Sequence, residues 1–253
     1  MEQFLKKIVK NGKALYIAYD HGLEHGPKDL MGKSIDPNYI LDLAVKGGAT
    51  GVILQGGVAQ EYYYRSSYAA KVPLILKING KTSLYQTKNP YSPITYDIEE
   101  AKKIGASAIG YTIYLGSAYE HKMLSEFNEV RTKAHQLGLA AIAWIYPRGE
   151  FITDETSEEI TAYAARVGLE LGADMIKIKY CGSESGFRHA VEAAGKTKVV
   201  LSGGPKTNQS EFMEVMKNVM KAGGLGVAVG RNVWQSENAL GVMDELKKII
   251  GLT

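Results

Sequence analysis

Short apolar runs alternate along the chain with longer amphipathic segments. Eight of the short runs are rich in β-branched and aromatic residues, and they occupy residues 14–20, 51–56, 73–78, 107–114, 139–146, 174–180, 198–204 and 225–231. Nearly continuous apolar runs of this length are typical of strands buried on both faces of a parallel sheet. The pattern therefore predicts eight buried parallel strands.

The segments between these runs mostly carry helical periodicity. In the clearest, 157–171, the apolar positions that recur at helical spacing are Ile160, Tyr163, Ala164, Val167 and Leu171. Thr156 and Glu159 predict a capping box at its start, and Gly172 predicts a left-handed residue after its end. Helical patterns also cover 118–137, 208–222 and 237–250, whereas 58–70 is weaker because its three consecutive tyrosines fit neither period.

Eight strand–helix units in one chain of this length indicate a (β/α)₈ TIM barrel, an α/β fold. The expected organisation is a single barrel domain over residues 1–253. An open, doubly wound sheet has the same local pattern and is the alternative. In a barrel the active site lies at the carboxyl ends of the strands, so polar residues at those ends become candidates.

Composition excludes several classes of protein. With 45% hydrophobic and 23% charged residues, the chain is neither disordered nor collagen-like. No apolar run reaches the roughly 18–20 residues of a membrane span, and the N-terminus does not resemble a signal peptide. Cys181 is the single cysteine, so no internal disulfide can form and we expect a cytoplasmic protein. The net charge of +3 includes no basic block, which argues against nucleic acid or a membrane surface as partner.

The first strand ends in a polar run, Asp20 to Gly26, that holds two of the five histidines. Glycines punctuate the run, so it is expected to be a loop. Three interpretations are open: part of a functional site, a solvated loop with an Asx turn, or a metal site formed by Asp20, His21 and His25.

The fifth strand ends with two aromatic residues on one face, Trp144 and Tyr146. They either pack against the helix layer or face the rim, where Arg148 follows. A phenol at the rim can donate or accept a proton.

In the sixth strand Lys177 and Lys179 alternate with isoleucines. If the apolar face packs under the helices, both lysines point into the barrel or its mouth, and burial beside a second ammonium predicts a depressed pKa. Such a lysine is a nucleophile that forms Schiff bases with carbonyl carbons. The alternative is an edge strand with both lysines in water, and the spacing does not choose between the two lysines.

The loops after the seventh and eighth strands are rich in glycine. They contain Ser202, Gly203 and Gly204 in one loop and Gly230 and Arg231 in the other. Backbone N–H groups of such loops often bind phosphate in barrels, and arginine binds it in bidentate fashion. Tight turns without a ligand are the alternative interpretation.

Six motifs in order over residues 10–240 resemble the archaeal-type class I fructose-1,6-bisphosphate aldolases, the DhnA-type family. The motifs are AYDHGLEHGP, GYTIYLGS, WIYPRG, MIKIKY, SGGPKT and AVGRNVWQ. The resemblance implies reversible cleavage of fructose 1,6-bisphosphate to dihydroxyacetone phosphate and glyceraldehyde 3-phosphate, in glycolysis or gluconeogenesis. It implies a Schiff base, with no metal and no other cofactor.

The resemblance also assigns expected roles to residues of this chain. Lys177 matches the Schiff-base lysine, Tyr146 the general acid/base, Trp144 its neighbour in the pocket and Asp20 the acidic residue near the Schiff base. The positions that match the phosphate site on the ketone half are Ser202, Gly203, Gly204, Gly230 and Arg231. Further substrate-contacting positions are His21, His25, Arg148 and Lys179.

Other functions remain open at the level of sequence. Relatives on the same scaffold carry out a transaldol-type condensation that forms 2-amino-3,7-dideoxy-D-threo-hept-6-ulosonate, or a thiolase-like step on a phosphorylated autoinducer sugar. A non-catalytic phosphosugar-binding protein would not need a lysine beside a tyrosine. A metal-dependent class II aldolase would need histidine ligands at the mouth, but His121, His135 and His189 fall in helical segments.

The resemblance further implies a homo-oligomer, a decamer of two pentameric rings. Tyr62 to Tyr64 and Tyr68 are candidates for an interface, although burial within the monomer explains them equally well.

Overall fold

Eight parallel strands pair edge to edge until the last strand meets the first. The computed structural model describes residues 2–253 and contains one closed barrel in the order β1 to β8. The strands are β1 Ala14–Tyr19, β2 Gly51–Gln55, β3 Leu74–Lys77, β4 Ala106–Leu115, β5 Ala140–Pro147, β6 Met175–Ile178, β7 Lys198–Ser202 and β8 Gly226–Val229. All eight predicted strands are confirmed. Because β1 pairs with β8, the open sheet is excluded, and none of the strands described in residues 2–253 leaves its lysines at an edge.

Helices follow the strands, except for α1, which precedes β1. They are α1 Glu2–Leu5, α2 His21–His25, α3 Pro37–Lys46, α4 Gly56–Val58, α5 Ile98–Lys103, α6 Glu120–Gln136, α7 Glu158–Glu170, α8 Glu184–Ala193, α9 Gln209–Lys221, α10 Arg231–Trp234 and α11 Ala239–Ile250. Two 3₁₀ turns, Pro27–Asp29 and Gly32–Ile35, and a π-helical turn, Ala59–Tyr63, complete the elements. Within residues 2–253, no helix combines the length and the apolar character needed to cross a membrane.

The interior of the barrel is a separate core from the layer between strands and helices. Inward-facing side chains such as Tyr16, Ile142 and Met175 pack together there, and Leu5 and Ile8 close the amino end beneath them. With the amino end closed by apolar side chains, the carboxyl end is where a polar cavity can form.

Helix α7 differs from its predicted pattern in two ways. Its N-cap is Ser157, whose hydroxyl accepts from the backbone of Ile160, so the predicted capping box of Thr156 and Glu159 is wrong by one residue. Tyr163 is 61% exposed, because small residues rather than the tyrosine make the close contact with the barrel. A Cβ added at Gly168 would lie 2.2 Å from Ile176 of β6. The predicted left-handed residue after the helix is confirmed at Gly172, with φ of 72°.

The run after β1 forms a helix rather than the expected loop. His21–His25 completes one turn that ends when the N–H of Gly26 bonds the carbonyl of Gly22. Contacts with other elements hold this turn, since Glu24 pairs with Lys77 of β3 and His25 with Asp29. Such partners override the low helix propensity of the glycine and are not visible in the local sequence.

Tyr62 and Tyr63 lie in the π-helical turn and Tyr64 follows its end, which explains why the three tyrosines fit no regular period. Tyr63 is buried within the monomer and donates to the carbonyl of Val72 at 2.8 Å, whereas Tyr62 is 39% exposed. Monomer burial therefore accounts for Tyr63, and Tyr62 remains a surface residue.

Candidate active site

A cavity of about 780 Å³, including its open mouth, lies at the carboxyl ends of the strands. All the site residues predicted from the sequence except Trp144 line it, namely Asp20, His21, His25, Tyr146, Arg148, Lys177, Lys179, Ser202, Gly203, Gly204, Gly230 and Arg231. Tyr146, Lys177 and Ser202 lie in strands, and the others lie in the segments that follow the strands. They come together because the carboxyl ends of all the strands meet at the same mouth.

Lys177 is the most enclosed cation that lines this cavity. Its side chain in β6 is 5% exposed, and its Nζ lies 4.6 Å from the centre of the Trp144 ring. Burial lowers the pKa of Lys177, but Tyr146, Asp20 and Glu24 together outweigh burial and raise it above the ordinary value. The predicted depression of this pKa is therefore wrong. The physical reason is that Tyr146 and two carboxylates remote in sequence, Asp20 and Glu24, lie near the amine.

Asp20 is the counter-charge of Lys177. Burial raises the pKa of its carboxyl, but Lys177, His21 and Lys77 lower it below the ordinary value. Asp20 is thus a carboxylate at neutral pH, beside a protonated Lys177. Before the amine can attack a carbonyl, its proton must leave, and Asp20 and the Tyr146 phenol are the nearby groups able to accept or relay it.

Trp144 forms the floor of the site rather than its wall. Its indole lies across the barrel over Gly110, where an added Cβ would come within 2.4 Å of Cζ2. A glycine in β4 is therefore required for the ring to lie flat. The ring contacts two cations, Lys177 and, at 4.8 Å, Lys77. Trp144 thus faces the barrel interior, and the alternative of packing in the helix layer is wrong.

Sequence reasoning missed a second buried lysine. Lys77 in β3 has no exposed surface, and its Nζ lies 2.5 Å from Glu24, which also lines the cavity. The available signal was a lone lysine in the apolar run PLILKI, since a buried lysine needs a charged partner. Nothing in the local sequence identifies that partner, which comes from the end of β1.

Tyr146 lies near the mouth of the cavity. Its hydroxyl is 3.3 Å from that of Ser202, and the Arg148 guanidinium lies 5.6 Å from the centre of its ring. The phenol therefore has a hydroxyl partner in β7, and its proximity to Lys177 helps to raise the pKa of that lysine.

Lys179 lies beyond the end of β6 and belongs to a different charge cluster. It binds Glu155, which also accepts from Arg148 at 2.7 Å. Burial and the neighbouring Arg148 lower the pKa of Lys179 below its ordinary value. The lysine with the depressed pKa is thus Lys179, but its ammonium is held by Glu155 and it is more exposed than Lys177.

The two glycine-rich loops line the cavity on the side of β7 and β8. Arg231 is held by Asp29 at 3.0 Å and by the carbonyl of Gly204 at 3.3 Å. Asn232 donates to the carbonyls of Gly203 and Pro205, which fixes the first loop against the second. Arg231 lines the cavity, and its Nε is buried and has no protein partner among the described residues. Asp29 and Asn232 are functional neighbours that the sequence patterns did not reveal.

The two histidines of α2 stand at the edge of the glycine loops. Burial lowers the pKa of His21 to about 4, so its ring is neutral at physiological pH. The His21 ring packs on Gly230, where an added Cβ would lie 2.6 Å from Cε1. His25 pairs with Asp29 at 3.1 Å. In residues 2–253, no group of three or more histidine, cysteine, aspartate or glutamate side chains is placed to hold a metal ion.

A buried lysine beside a phenol and a carboxylate, at the mouth of a closed barrel, defines an enzyme built for carbonyl chemistry through a lysine. The chain belongs to the DeoC/LacD family of aldolases, whose family model matches residues 14–236.

Comparison with individual proteins agrees with this family. The chain is 49% identical to the fructose-bisphosphate aldolase class 1 of Thermoproteus tenax over 252 residues, which are 98% of this chain and 94% of that protein. It is 34% identical to a fructose-bisphosphate aldolase/6-deoxy-5-ketofructose 1-phosphate synthase of Methanocaldococcus jannaschii, over 93% of this chain and 80% of that protein. A solved archaeal fructose-1,6-bisphosphate aldolase, with its catalytic lysine bound to the carbinolamine intermediate, matches with a TM-score of 0.93 at 47% identity, over 98% of each chain.

Proposed function

We propose that this protein is a class I fructose-1,6-bisphosphate aldolase that cleaves its substrate reversibly through a Schiff base on Lys177. The observation that carries the proposal is the position of Lys177, buried on the inner face of β6 with Asp20 and Tyr146 beside it. The likeness to class 1 aldolases at 49% identity supports the same chemistry.

Formation of the Schiff base begins with transfer of a proton from Lys177 to Asp20. The neutral amine then attacks C2 of the ketone, and loss of water from the carbinolamine leaves an iminium that acts as an electron sink. The phosphate on the ketone half binds at Ser202, Gly203, Gly204, Gly230 and Arg231. Arg231 supplies charge-assisted hydrogen bonds there, and its position is held by Asp29.

Cleavage follows when Tyr146 accepts the proton of the C4 hydroxyl. The C3–C4 bond breaks and glyceraldehyde 3-phosphate leaves. The electron pair of the broken bond passes to the iminium and forms an enamine. Tyr146 returns a proton to C3, and water hydrolyses the resulting iminium to release dihydroxyacetone phosphate. His21, neutral at physiological pH, is placed to hydrogen-bond a substrate hydroxyl rather than to bind a phosphate by charge. Trp144 supports Lys177 from below.

Trapping with borohydride tests the assignment. Reduction in the presence of dihydroxyacetone phosphate is expected to link the three-carbon unit to Lys177, as read by peptide mass spectrometry. Lys177→Met should abolish the adduct and the cleavage, while Lys179→Met should retain the adduct. An adduct on another lysine, or cleavage by Lys177→Met, would contradict the proposal. Because the iminium is the electron sink, cleavage should persist in EDTA.

A second reaction on the same scaffold is a narrower possibility. The Methanocaldococcus jannaschii relative is named both a fructose-bisphosphate aldolase and a 6-deoxy-5-ketofructose 1-phosphate synthase, but it is less similar to this chain than the Thermoproteus tenax aldolase. Comparing rates with fructose 1,6-bisphosphate and with a deoxy-ketose 1-phosphate separates the two activities.

The proposal includes a single barrel domain, a cytoplasmic location and a homo-oligomer. The closed pairing of β1 with β8 supports one domain. The decamer rests on the resemblance of the sequence motifs, and size-exclusion chromatography with light scattering measures it directly.

A further inference from the structure

Glu155 binds both cations at the part of the rim formed by β5 and β6. One carboxylate oxygen accepts from Nε of Arg148 at 2.7 Å, and the other bonds Nζ of Lys179. Arg148 and Lys179 line the cavity, and the side chains are 44% exposed for Arg148, 25% for Lys179 and 34% for Glu155, so all three are partly accessible to solvent. The Glu155 carboxylate therefore occupies the place where Arg148 and Lys179 would bind another anion.

The cavity has a second, separate cationic wall. Arg231 stands at the end of β8 beside the glycine loops, whereas Arg148 and Lys179 follow β5 and β6. Lys177 and Tyr146 belong to β6 and β5 and open onto the same mouth. A sugar with a phosphate at each end, and with its middle carbons at Lys177 and Tyr146, has one cationic group available for each phosphate.

The two walls differ in how their cations are held. Arg231 is 17% exposed, and Asp29 and the carbonyl of Gly204 position it while leaving its Nε without a protein partner. Arg148 and Lys179 share the single carboxylate of Glu155, which lies in the segment between β5 and α7, outside any strand or helix. A carboxylate on a loop can withdraw from its partners at less cost than one on a buried element.

We propose that Glu155 competes with the phosphate at the aldehyde end of the substrate for Arg148 and Lys179, and so sets the preference for doubly over singly phosphorylated sugars. The inference rests on the proposed function, because it needs a substrate with a second phosphate. An entering phosphate must replace Glu155 on both cations, and the two anions repel each other until it does. The carboxylate thus weakens binding of the second phosphate and favours release of the phosphorylated aldehyde.

Kinetics of Glu155→Gln with two substrates test this competition. Fructose 1,6-bisphosphate and fructose 1-phosphate differ only in the phosphate at the aldehyde end, so the ratio of their KM values isolates that phosphate. In Glu155→Gln the ratio of KM for fructose 1-phosphate to KM for the bisphosphate should rise about fivefold, the size expected for loss of a partly exposed ion pair. The rise should come from a lower KM for the bisphosphate.

A matched variant controls for the loss of a carboxylate. Glu170→Gln removes the partner of Arg166 on the outer surface of α7, where the ion pair spans 2.8 Å. The ratio should be unchanged in this variant. If Glu155 only holds Arg148 and Lys179 in place, Glu155→Gln should instead raise the KM for the bisphosphate and lower the ratio. A lowered or unchanged ratio overturns the inference.

Titration calorimetry separates this inference from the proposed function. Glyceraldehyde 3-phosphate and unphosphorylated glyceraldehyde are titrated into wild type and Glu155→Gln, with no turnover required. A selective gain for the phosphorylated aldehyde supports the role of Glu155 even if wild type cleaves no bisphosphate, in which case only the proposed function fails. Equal affinities of the two proteins for glyceraldehyde 3-phosphate overturn the role of Glu155 even if cleavage is observed.

Discussion

At the scale of single residues, the Tyr146 phenol interacts with Lys177 and lies 3.3 Å from the hydroxyl of Ser202 in β7. Tyr146→Phe removes the proton acceptor for the C4 hydroxyl but leaves Lys177 in place. Cleavage should fall about 10²-fold or more, a typical general acid–base contribution. The borohydride adduct at Lys177 should still form, and this is measured by mass spectrometry on the same samples.

The control for this change is another buried tyrosine. Tyr111 lies in β4 outside the cavity and donates to Glu126. Tyr111→Phe should leave the rate of cleavage within a few-fold of wild type. Equal losses in the two variants would mean that Tyr146 is needed for packing and not for proton transfer.

The charge of Lys77 predicts how activity depends on pH. Its positive charge is one of the causes that lower the pKa of Asp20, so Asp20 stays ionised to lower pH than an ordinary carboxyl. If Asp20 must be ionised to take the proton of Lys177, activity is lost as pH falls through the pKa of Asp20. Lys77→Met removes the charge and raises that pKa, and the acid limb of the kcat/KM profile should move to higher pH. Lys46→Met, which removes an exposed lysine paired with Asp42, should leave the limb where it is in wild type.

An acid limb that stays in place, or moves to lower pH, in Lys77→Met would show that Lys77 does not act on Asp20. In that case its ion pair with Glu24 would serve the packing of the barrel alone.

Residue patterns predicted which side chains face the cavity better than they predicted their charge states. The alternation of Lys177 with isoleucines determines its face, because the side-chain period of a strand is two. Its raised pKa depends on Tyr146, Asp20 and Glu24, and the two carboxylates lie more than 150 residues away in the chain. The charge states at such a site can therefore be predicted only when the fold is known, whereas the direction of a side chain can be predicted from the local sequence.

At the scale of secondary structure elements, the start of α7 tests which residue caps the helix. Ser157 accepts from the backbone N–H of Ile160 at 3.4 Å, while Thr156 donates its hydroxyl to Asp154. Ser157→Ala should lower the free energy of unfolding by about 1 kcal/mol, the usual cost of losing an N-cap. Thr156→Ala should change it by less than about 0.5 kcal/mol, as for other surface substitutions. Urea denaturation measures both, and a larger loss for Thr156→Ala would restore the capping box that the sequence suggested.

Local sequence determines some secondary structure elements more completely than others. The strands were predictable because burial on both faces leaves an apolar run that few other elements show. Helix α2 was not, since its single turn depends on Glu24 meeting Lys77 of β3 and His25 meeting Asp29. Tyr163 was misplaced on the buried face of α7 because Gly168 approaches Ile176 closely and small residues take that face.

At the scale of the whole molecule, closure of the barrel joins its first and last strands, so neither half has a complete set of strand partners without the other. The two tryptophans report on separate parts of this ring. Trp144 lies in β5, and Trp234 in α10 donates to the carbonyl of Ala18 in β1 at 3.0 Å. Both are almost fully buried, with 1% and 3% of their surface exposed, so unfolding should change the fluorescence of each.

We expect one cooperative transition, because opening either half removes strand partners from the other. In Trp234→Phe the fluorescence reports Trp144, and in Trp144→Phe it reports Trp234. Within each variant the denaturant midpoint from fluorescence should coincide with that from far-ultraviolet circular dichroism, the usual test of two-state unfolding. Each variant is its own control, since both signals come from the same sample and any change in overall stability shifts them together. Midpoints that separate in either variant would mean that the barrel unfolds in parts, and residues 1–253 would then behave as two units rather than the proposed single domain.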